Sequence, residues 1–432
     1  MLVASLRGNP RLTRLLGAWG LSCVGVGAGY VALLFVTYRH LHSAWAISAV
    51  LLGQFVPAIA FGPWFGALAD KHSKRLLIVS GSVLQAAAYG GLTVVDHAAP
   101  VISLALLAGI GNALQRPALR AALPGLAGDL AQTAAALFDS ARWVGITVGP
   151  LVVAALLFVA GPSLPLAVSA GAFAVAAVMI ATVPIEKRRA QADEPVAQGI
   201  RAGLRVAFSS PGIAALIACS AGGVIGGGLL NVSEPIYATK VLHGSGSDYA
   251  VLVACYGIGM VLATVLVARR GAVPLGLLVN RYVVALALMA IGMLGTAVVA
   301  SVALAAWTFA ATGYANGLLV VSETQIIFMR VPNLVQGRLF GAKDMIEGVL
   351  FLTGLVAAAP LIAATSVRVT LVGAASVCGV CAVAAVLAMA RKGTAIMAPN
   401  EPVGQAGSDG ERAQAVPPLI PLTPAPPQVP PR

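Results

Sequence analysis

Apolar residues run along this chain in long blocks, broken by short clusters of charge, proline and glycine. Each block reaches the roughly 20 residues that a helix needs to cross a bilayer. Twelve such helices are predicted, at about 15–38, 45–69, 76–95, 100–123, 133–159, 163–184, 212–237, 249–268, 279–300, 302–329, 339–365 and 369–390. The breaks alternate in charge. With both termini placed in the cytoplasm, twenty lysines and arginines fall in cytoplasmic segments, and only Arg39, Lys240 and Arg368 fall outside. Lys and Arg are poorly translocated, so the alternation supports the count of twelve.

Composition agrees. The chain of 432 residues is 59% hydrophobic and 10% charged, unlike a soluble domain of that size. Its net charge of +12 is spread over short loops rather than gathered in one basic domain, which argues against a nucleic-acid partner. Arg7, Arg11 and Arg14 precede an apolar stretch too long for a signal-peptide core, so the first block reads as a retained span. All five cysteines (Cys23, Cys219, Cys255, Cys378, Cys381) lie in apolar blocks, which speaks against a disulfide framework. Cys378 and Cys381 have redox-like spacing but sit among Ala, Gly and Val, where small packing residues belong.

The longest polar stretch between spans, residues 186–211, divides the chain. The expected organisation is an N-terminal six-helix bundle (1–185), a cytoplasmic linker (186–211), a C-terminal six-helix bundle (212–392) and a disordered, Pro-rich cytoplasmic tail (393–432). Within the linker, Val196 to Phe208 reads either as a short surface helix or as solvated chain. The halves carry a faint internal repeat. Gly109 and Pro124 recur 208 residues on as Gly317 and Pro332; Asp139 and Gly149 recur 205 residues on as Asp344 and Gly354. Arg142 and Glu347 each follow their aspartate by three residues.

One loop carries the strongest motif. Gly66-Ala67-Leu68-Ala69-Asp70-Lys71-His72-Ser73-Lys74-Arg75 closes the second span and opens the third. It resembles the signature G-x-L-a-D-[RK]-x-G-[RK]-[RK] between helices 2 and 3 of the major facilitator superfamily, with Ser73 where glycine is usual. Gly145-Ile146-Thr147-Val148-Gly149-Pro150 in span 5 is similar to the glycine–proline element of the export branch. Gln336-Gly337-Arg338-Leu339-Phe340-Gly341 is similar to an element of drug and siderophore exporters such as the enterobactin exporter. The resemblance covers about residues 12–392. It implies an all-α membrane fold of two six-helix bundles around a central cavity, working by alternating access. Asp70 would hold a cytoplasmic gate against the start of helix 11, near Gly337 and Arg338. Lys71, Lys74 and Arg75 would meet lipid phosphates or pair across that gate. Span 4 has Ala105 where many proton-coupled exporters carry a membrane arginine, which weakens any borrowed proton route.

Ionisable residues inside spans cost at least ~2.5–3.5 kcal/mol each at the bilayer centre, so each is a candidate site. Asp139 and Arg142 share a face of span 5, as a structural ion pair or a coupling site. Lys343 and Glu347 form an i,i+4 pair in span 11, leaving Asp344 without a local partner and a candidate for proton binding or gate pairing. Glu323 in span 10 lies on a polar face after Asn316, and Glu234-Pro235 lies near the outer end of span 7. Gly145, Gly149, Pro150 and Gly354 are candidate packing or hinge positions. Five scattered histidines form no metal or acid–base cluster, and no Walker phosphate loop is present. The expectation is therefore not an enzyme and holds no cofactor or metal. It is a monomeric, proton-coupled exporter of a small amphipathic, drug-like or siderophore-like molecule in a bacterial inner membrane. Uptake of a metabolite on the same fold is the alternative, and a non-transporting sensor a remote one.

Overall fold

A computed structural model describes residues 9–128, 131–161, 163–185, 204–205, 207–208, 211–269, 273–331 and 333–391. The Val196–Phe208 segment lies largely outside these residues, as do most of the linker and the Pro-rich tail. Among the described residues the architecture is helical: α1 (Pro10–Leu41), α2 (Ala44–Lys71), α3 (Lys74–Gly91), α4 (Ala98–Ala127), α5 (Ala131–Ala160), α6 (Ser163–Ala181), α7 (Pro211–Ile236), α8 (Gly246–Arg269), α9 (Leu275–Val298), α10 (Val302–Arg330), α11 (Asn333–Ala364) and α12 (Val367–Arg391). A single π-helical turn, Tyr237–Val241, extends α7. Eleven of these helices are long and apolar enough to cross a membrane. The exception is α3, whose first two residues are cations and which is shorter than the run 76–95 suggested. Gly90-Gly91 ends it, and the Thr93 hydroxyl closes the turn on the Gly90 carbonyl at 2.6 Å.

Helix ends follow local chemistry. The Asn9 side chain accepts from the Leu12 N–H at 3.1 Å and donates to the Leu126 carbonyl at 2.7 Å, capping α1 while tying it to α4. Ser43 and Ser301 cap α2 and α10. Ser245 and Asp248 form a reciprocal capping box at α8, with Asp248 Oδ2 2.6 Å from the Ser245 N–H. Two-residue connections such as His42-Ser43 reverse the chain, so successive helices run in opposite directions.

The same pairing pattern occurs twice. In the first half α1 packs on α5 and α6, α2 on α4, and α3 on α4 and α6. In the second half α7 packs on α11 and α12, α8 on α10, and α9 on α10 and α12. Repeat-related glycines make these approaches possible. A Cβ at Gly149 would lie 2.4 Å from the Ala28 nitrogen on α1, and one at Gly354 would lie 2.3 Å from the Ile225 carbonyl oxygen on α7. Gly109 meets Gly53 of α2 in the same way, as Gly317 meets Met260 of α8. Cys378 and Cys381 face Gly226 and Gly222 of α7, so both are small packing residues against a glycine face.

Three buried clusters fill the bundle, and their membership defines its shape. One draws only on the first half, from Leu12–Cys23 of α1, Ala69 at the end of α2 and Leu119–Ala127 of α4. A second draws only on 207–385, including Ile213–Ile217, Ile326, Ile327 and Leu339. Both lie at the end bearing the cation-rich loops. The third and largest lies at the opposite end and joins the halves, with Val31–Tyr38 of α1, Leu229–Ala238 around the end of α7 and Leu355 and Ala358 of α11. The core is therefore continuous at one end and divided at the other. Helices α5 against α8 and α2 against α11 make the main joins between halves.

These contacts give a stability test. Gly149→Ala and Gly354→Ala place a methyl group against a neighbouring backbone and should cost about 1–3 kcal/mol or more, as overpacking does. Gly373→Ala meets nothing within 4 Å and should be neutral. Thermal unfolding of the detergent-extracted variants checks the contrast.

Candidate functional site

Four polar groups punctuate the apolar interior. In the first half, Gln115 of α4 donates to Ser22 of α1 at 3.2 Å and to Ser82 of α3 at 2.8 Å, and accepts from Gln85 of α3 at 2.8 Å. All four side chains are buried, and every hydrogen bond is between neutral groups. This network locks three helices without a charge.

The corresponding place in the second half is charged. Lys343 of α11 lies 3.2 Å from Glu323 of α10 and 2.8 Å from Glu347 one turn on. Ser220 of α7 donates to the other Glu347 oxygen at 3.1 Å. Glu323 is 2% exposed, and its Oε1 is buried without a hydrogen-bond partner. Two carboxylates share one ammonium, so the cluster carries a formal charge of −1 when all three are ionised. Gly348, next to Glu347, packs against Ile59 of α2, so the cluster sits where the joined core gives way to the divided one.

A polar and aromatic seam joins the halves. The Tyr30 hydroxyl of α1 donates to Asn231 Oδ1 of α7. The Asn231 amide donates to the Gly227 carbonyl at 2.6 Å, which turns its oxygen toward Tyr30. Phe55 of α2 meets Phe351 of α11 edge-on at 5.1 Å, and Ser48 donates to the Leu355 carbonyl at 2.9 Å. Thr147 of α5 donates to the Gly257 carbonyl of α8 at 3.3 Å. Tyr256 accepts from Asn316 at 2.8 Å, two helical turns along α10 from Glu323. Beyond the seam, Glu234 of α7 is buried, and no ion pair or hydrogen bond reaches it.

The remaining expected residues are placed as follows. The side chains of Asp70, Lys71, Asp139 and Gly337 lie outside the described residues, so the Asp70 gate contact and the Asp139–Arg142 pair do too. Lys74 donates to the Ala121 carbonyl of α4 at 3.0 Å, a tie within the first half. Gly66 has open space around its Cα, and Arg75 and Arg338 are exposed. Arg142 lies in the electrostatic range of Cys23, alongside Arg116. Gly145 packs on Cys23 of α1, and Pro150 is buried inside α5. Asp344 is exposed and makes no ion pair or hydrogen bond, one residue from the buried cluster it does not join.

The Major Facilitator Superfamily profile matches residues 17–279, more than half of the chain. The chain belongs to the major facilitator superfamily. Macrolide efflux protein A of Streptococcus pyogenes is 24% identical over 56% of this chain and 62% of its own length. The chain thus spans about three fifths of the length of that curated relative. Its Enterococcus faecalis namesake is 25% identical over 53% of this chain and 73% of its own. A staphyloferrin A transporter of Staphylococcus aureus is 32% identical over a shorter stretch, 27% of this chain and 31% of that one. Among solved structures, the nucleoside transporter NupG superposes with a TM-score of 0.69 at 15% identity, covering 87% of this chain and 98% of that one. A bacterial homologue of the human lysosomal transporter Spinster, inward-facing and unoccupied, gives 0.66 at 13% identity over 88% and 97%. These superpositions establish the fold. The family and these relatives are membrane transporters rather than enzymes. Eleven of the described helices of this chain are long and apolar enough to cross a bilayer, as a membrane transporter fold requires.

Sequence reasoning found the Lys343–Glu347 pair but missed both of its outside partners, Glu323 and Ser220. A signal was present: the 208-residue repeat that relates Gly109 to Gly317 also relates Gln115 to Glu323. The two buried polar nodes thus occupy repeat-equivalent places, neutral in one half of this transporter and charged in the other.

The charged node sets an order of stabilities. Lys343→Met leaves two carboxylates in a buried site without a counter-charge, a loss of about 3–5 kcal/mol for a broken buried pair. Glu347→Gln keeps the Lys343–Glu323 pair and should cost far less. Melting temperatures of the purified variants at neutral pH should fall in that order, and equal losses would contradict the geometry.

Proposed function

We propose that this transporter is a secondary active exporter, moving a small amphipathic or chelating molecule outward by alternating access against proton entry. One observation carries the reading: the buried core is sealed at one end and divided at the cation-rich end. With the cation-rich loops in the cytoplasm, as their charge favours, this is a state open to the inside. Both termini are then cytoplasmic, and the host membrane is a bacterial inner membrane. The two halves act as six-helix units that rock about α5–α8 and α2–α11, the first ending near residue 185 and the second beginning near 212. Asp70, Lys71, Lys74, Arg75, Gly337 and Arg338 form the gate that closes the inner end in the opposite state. The relatives named for macrolide efflux favour outward transport of lipophilic molecules, and the staphyloferrin A transporter extends the class to chelators.

The Glu323–Lys343–Glu347 cluster is the coupling site in this reading. Its three members come from two helices, and Ser220 adds a third, so rearrangement of α7, α10 and α11 changes the company each carboxylate keeps. Beside Lys343, Glu323 has a counter-charge; withdrawn from the lysine, a carboxylate in a dry site takes a proton. Asp344, exposed and outside the cluster, has no part in this exchange.

Proton movement in everted vesicles, followed with a pH-sensitive dye, tests the proposal. Lipophilic cations, macrolides, tetracyclines and siderophores are added in turn. Substrate-triggered loss of the proton gradient should occur in the wild type and fall at least ~tenfold in Glu323→Gln, equivalent to about 1.4 kcal/mol. Asp344→Asn should behave like the wild type. An unchanged response in Glu323→Gln would remove the cluster from coupling, and silence across the panel from inserted protein would overturn drug export.

A further inference from the structure

A group of sulfurs lies between α7, α9 and α12, apart from the charged cluster and the seam. Gly222, Gly223 and Gly226 leave one face of α7 without side chains, and four sulfur residues close over it. Cys378 and Cys381, one turn apart on α12, reach Gly226 and Gly222, their sulfurs 2.9 and 2.6 Å from where a Cβ would stand. Met293 and Met289, one turn apart on α9, meet the same face. Met293 Sδ lies 3.4 Å from the Cβ position of Gly226, and Met289 Sδ 3.8 Å from that of Gly223. Cys378 Sγ and Met293 Sδ are 3.7 Å apart, and both side chains are buried. The Cys378 thiol donates to the Gly222 carbonyl at 3.2 Å. Cys381 is half-buried and lies in the electrostatic range of Cys378 and of Cys219, three residues before Gly222 on α7. Three of the five cysteines in the chain therefore converge on one interface, where close packing asks only for small side chains.

Thiolate and thioether sulfurs are soft donors and select soft ions such as Cu(I). With metal–sulfur bonds of ~2.3 Å, an ion shared by two sulfurs 3.7 Å apart subtends an angle of about 107°, close to tetrahedral, which leaves a side open to Cys381. Among the described residues no three His, Cys, Asp or Glu side chains are placed to hold a metal ion. A divalent ion that needs three or four such ligands is thus not served here. A monovalent soft ion is, and its charge balances: one M⁺ on one thiolate is neutral, so the complex carries no net charge into the apolar core.

We infer that Cys378, Met293 and Cys381 form a binding site for a soft monovalent metal ion, Cu(I) or Ag(I), which ties α9 and α12 together against α7. Binding forms a metal–sulfur bond at Cys378 and breaks its S–H bond; the proton leaves to water, and the oxidation state of the metal does not change. Met293 and Cys381 give lone pairs as neutral thioether and thiol. The half-buried Cys381 and Cys219 mark the side from which the ion enters. The site shares no residue with the Glu323–Lys343–Glu347 cluster and does not rest on the export reading.

Purified full-length protein, titrated anaerobically with Cu(I) against the chelator bicinchoninate, tests the inference. Melting with and without Ag(I), which undergoes no redox change, gives a second readout. The wild type should bind one Cu(I) per chain, show sulfur-only ligation by X-ray absorption, and melt higher with Ag(I). Cys378→Ser should lose this binding. Met293→Leu, which conserves volume, should weaken it at least ~tenfold, the loss that even an outer-shell change brings. Cys23→Ala, Cys255→Ala and Glu323→Gln should match the wild type. Unchanged affinity in Met293→Leu overturns the inference even where Cys378→Ser fails to fold, and so does an equal loss in Cys255→Ala. Folded wild type that binds no Cu(I) overturns it outright. Saturable Zn(II) binding lost in the same variants would overturn it in favour of a divalent site.

Discussion

A carboxylate carried into the interior of a membrane-crossing bundle must meet a cation, a set of hydrogen-bond donors or a proton. That requirement organises the second half of this protein. Glu323 and Glu347 meet Lys343 and Ser220, and their positions fix how α7, α10 and α11 approach one another. Glu234 meets none of these, and the helix around it is interrupted by a proline and a π-turn. Two acids of the same half therefore differ in kind: Glu323 is held by Lys343, while no ion pair or hydrogen bond reaches Glu234.

At the repeat-equivalent place in the first half, the described polar node is neutral. Gln115, at the repeat-equivalent place to Glu323, bonds Ser22, Ser82 and Gln85, and nothing in that network changes protonation in the physiological range. Duplicated helices with matched glycine contacts thus hold unlike polar nodes. Among the described residues, the buried charged node therefore lies on one side of the seam and its neutral counterpart on the other.

The seam itself combines weak and specific contacts. Phe55 against Phe351, Ser48 on Leu355 and Thr147 on Gly257 are individually small. All of these, like Tyr30 on Asn231, are contacts between uncharged groups of the two halves. The divided side has separate cores that each bury their own apolar surface, so opening there leaves both halves packed.

The sequence by itself determined the helical membrane fold, the number of apolar runs, the segregation of cations and the small faces of α1, α5, α7 and α11. Those follow from properties read along one helix: block length, charge position and residue size at i, i+3 and i+4. Lys343 with Glu347 was legible for the same reason, because their spacing places them one turn apart wherever the helix sits. The tertiary structure alone decided that Lys343 also takes Glu323, that Asp344 is left outside, and that Tyr30 of one half bonds Asn231 of the other. Each of those outcomes depends on the rotation and depth of one helix against another. Depth and rotation are set by where glycines let backbones touch, at Gly149 on α1 and Gly354 on α7, and composition along a single helix does not contain them.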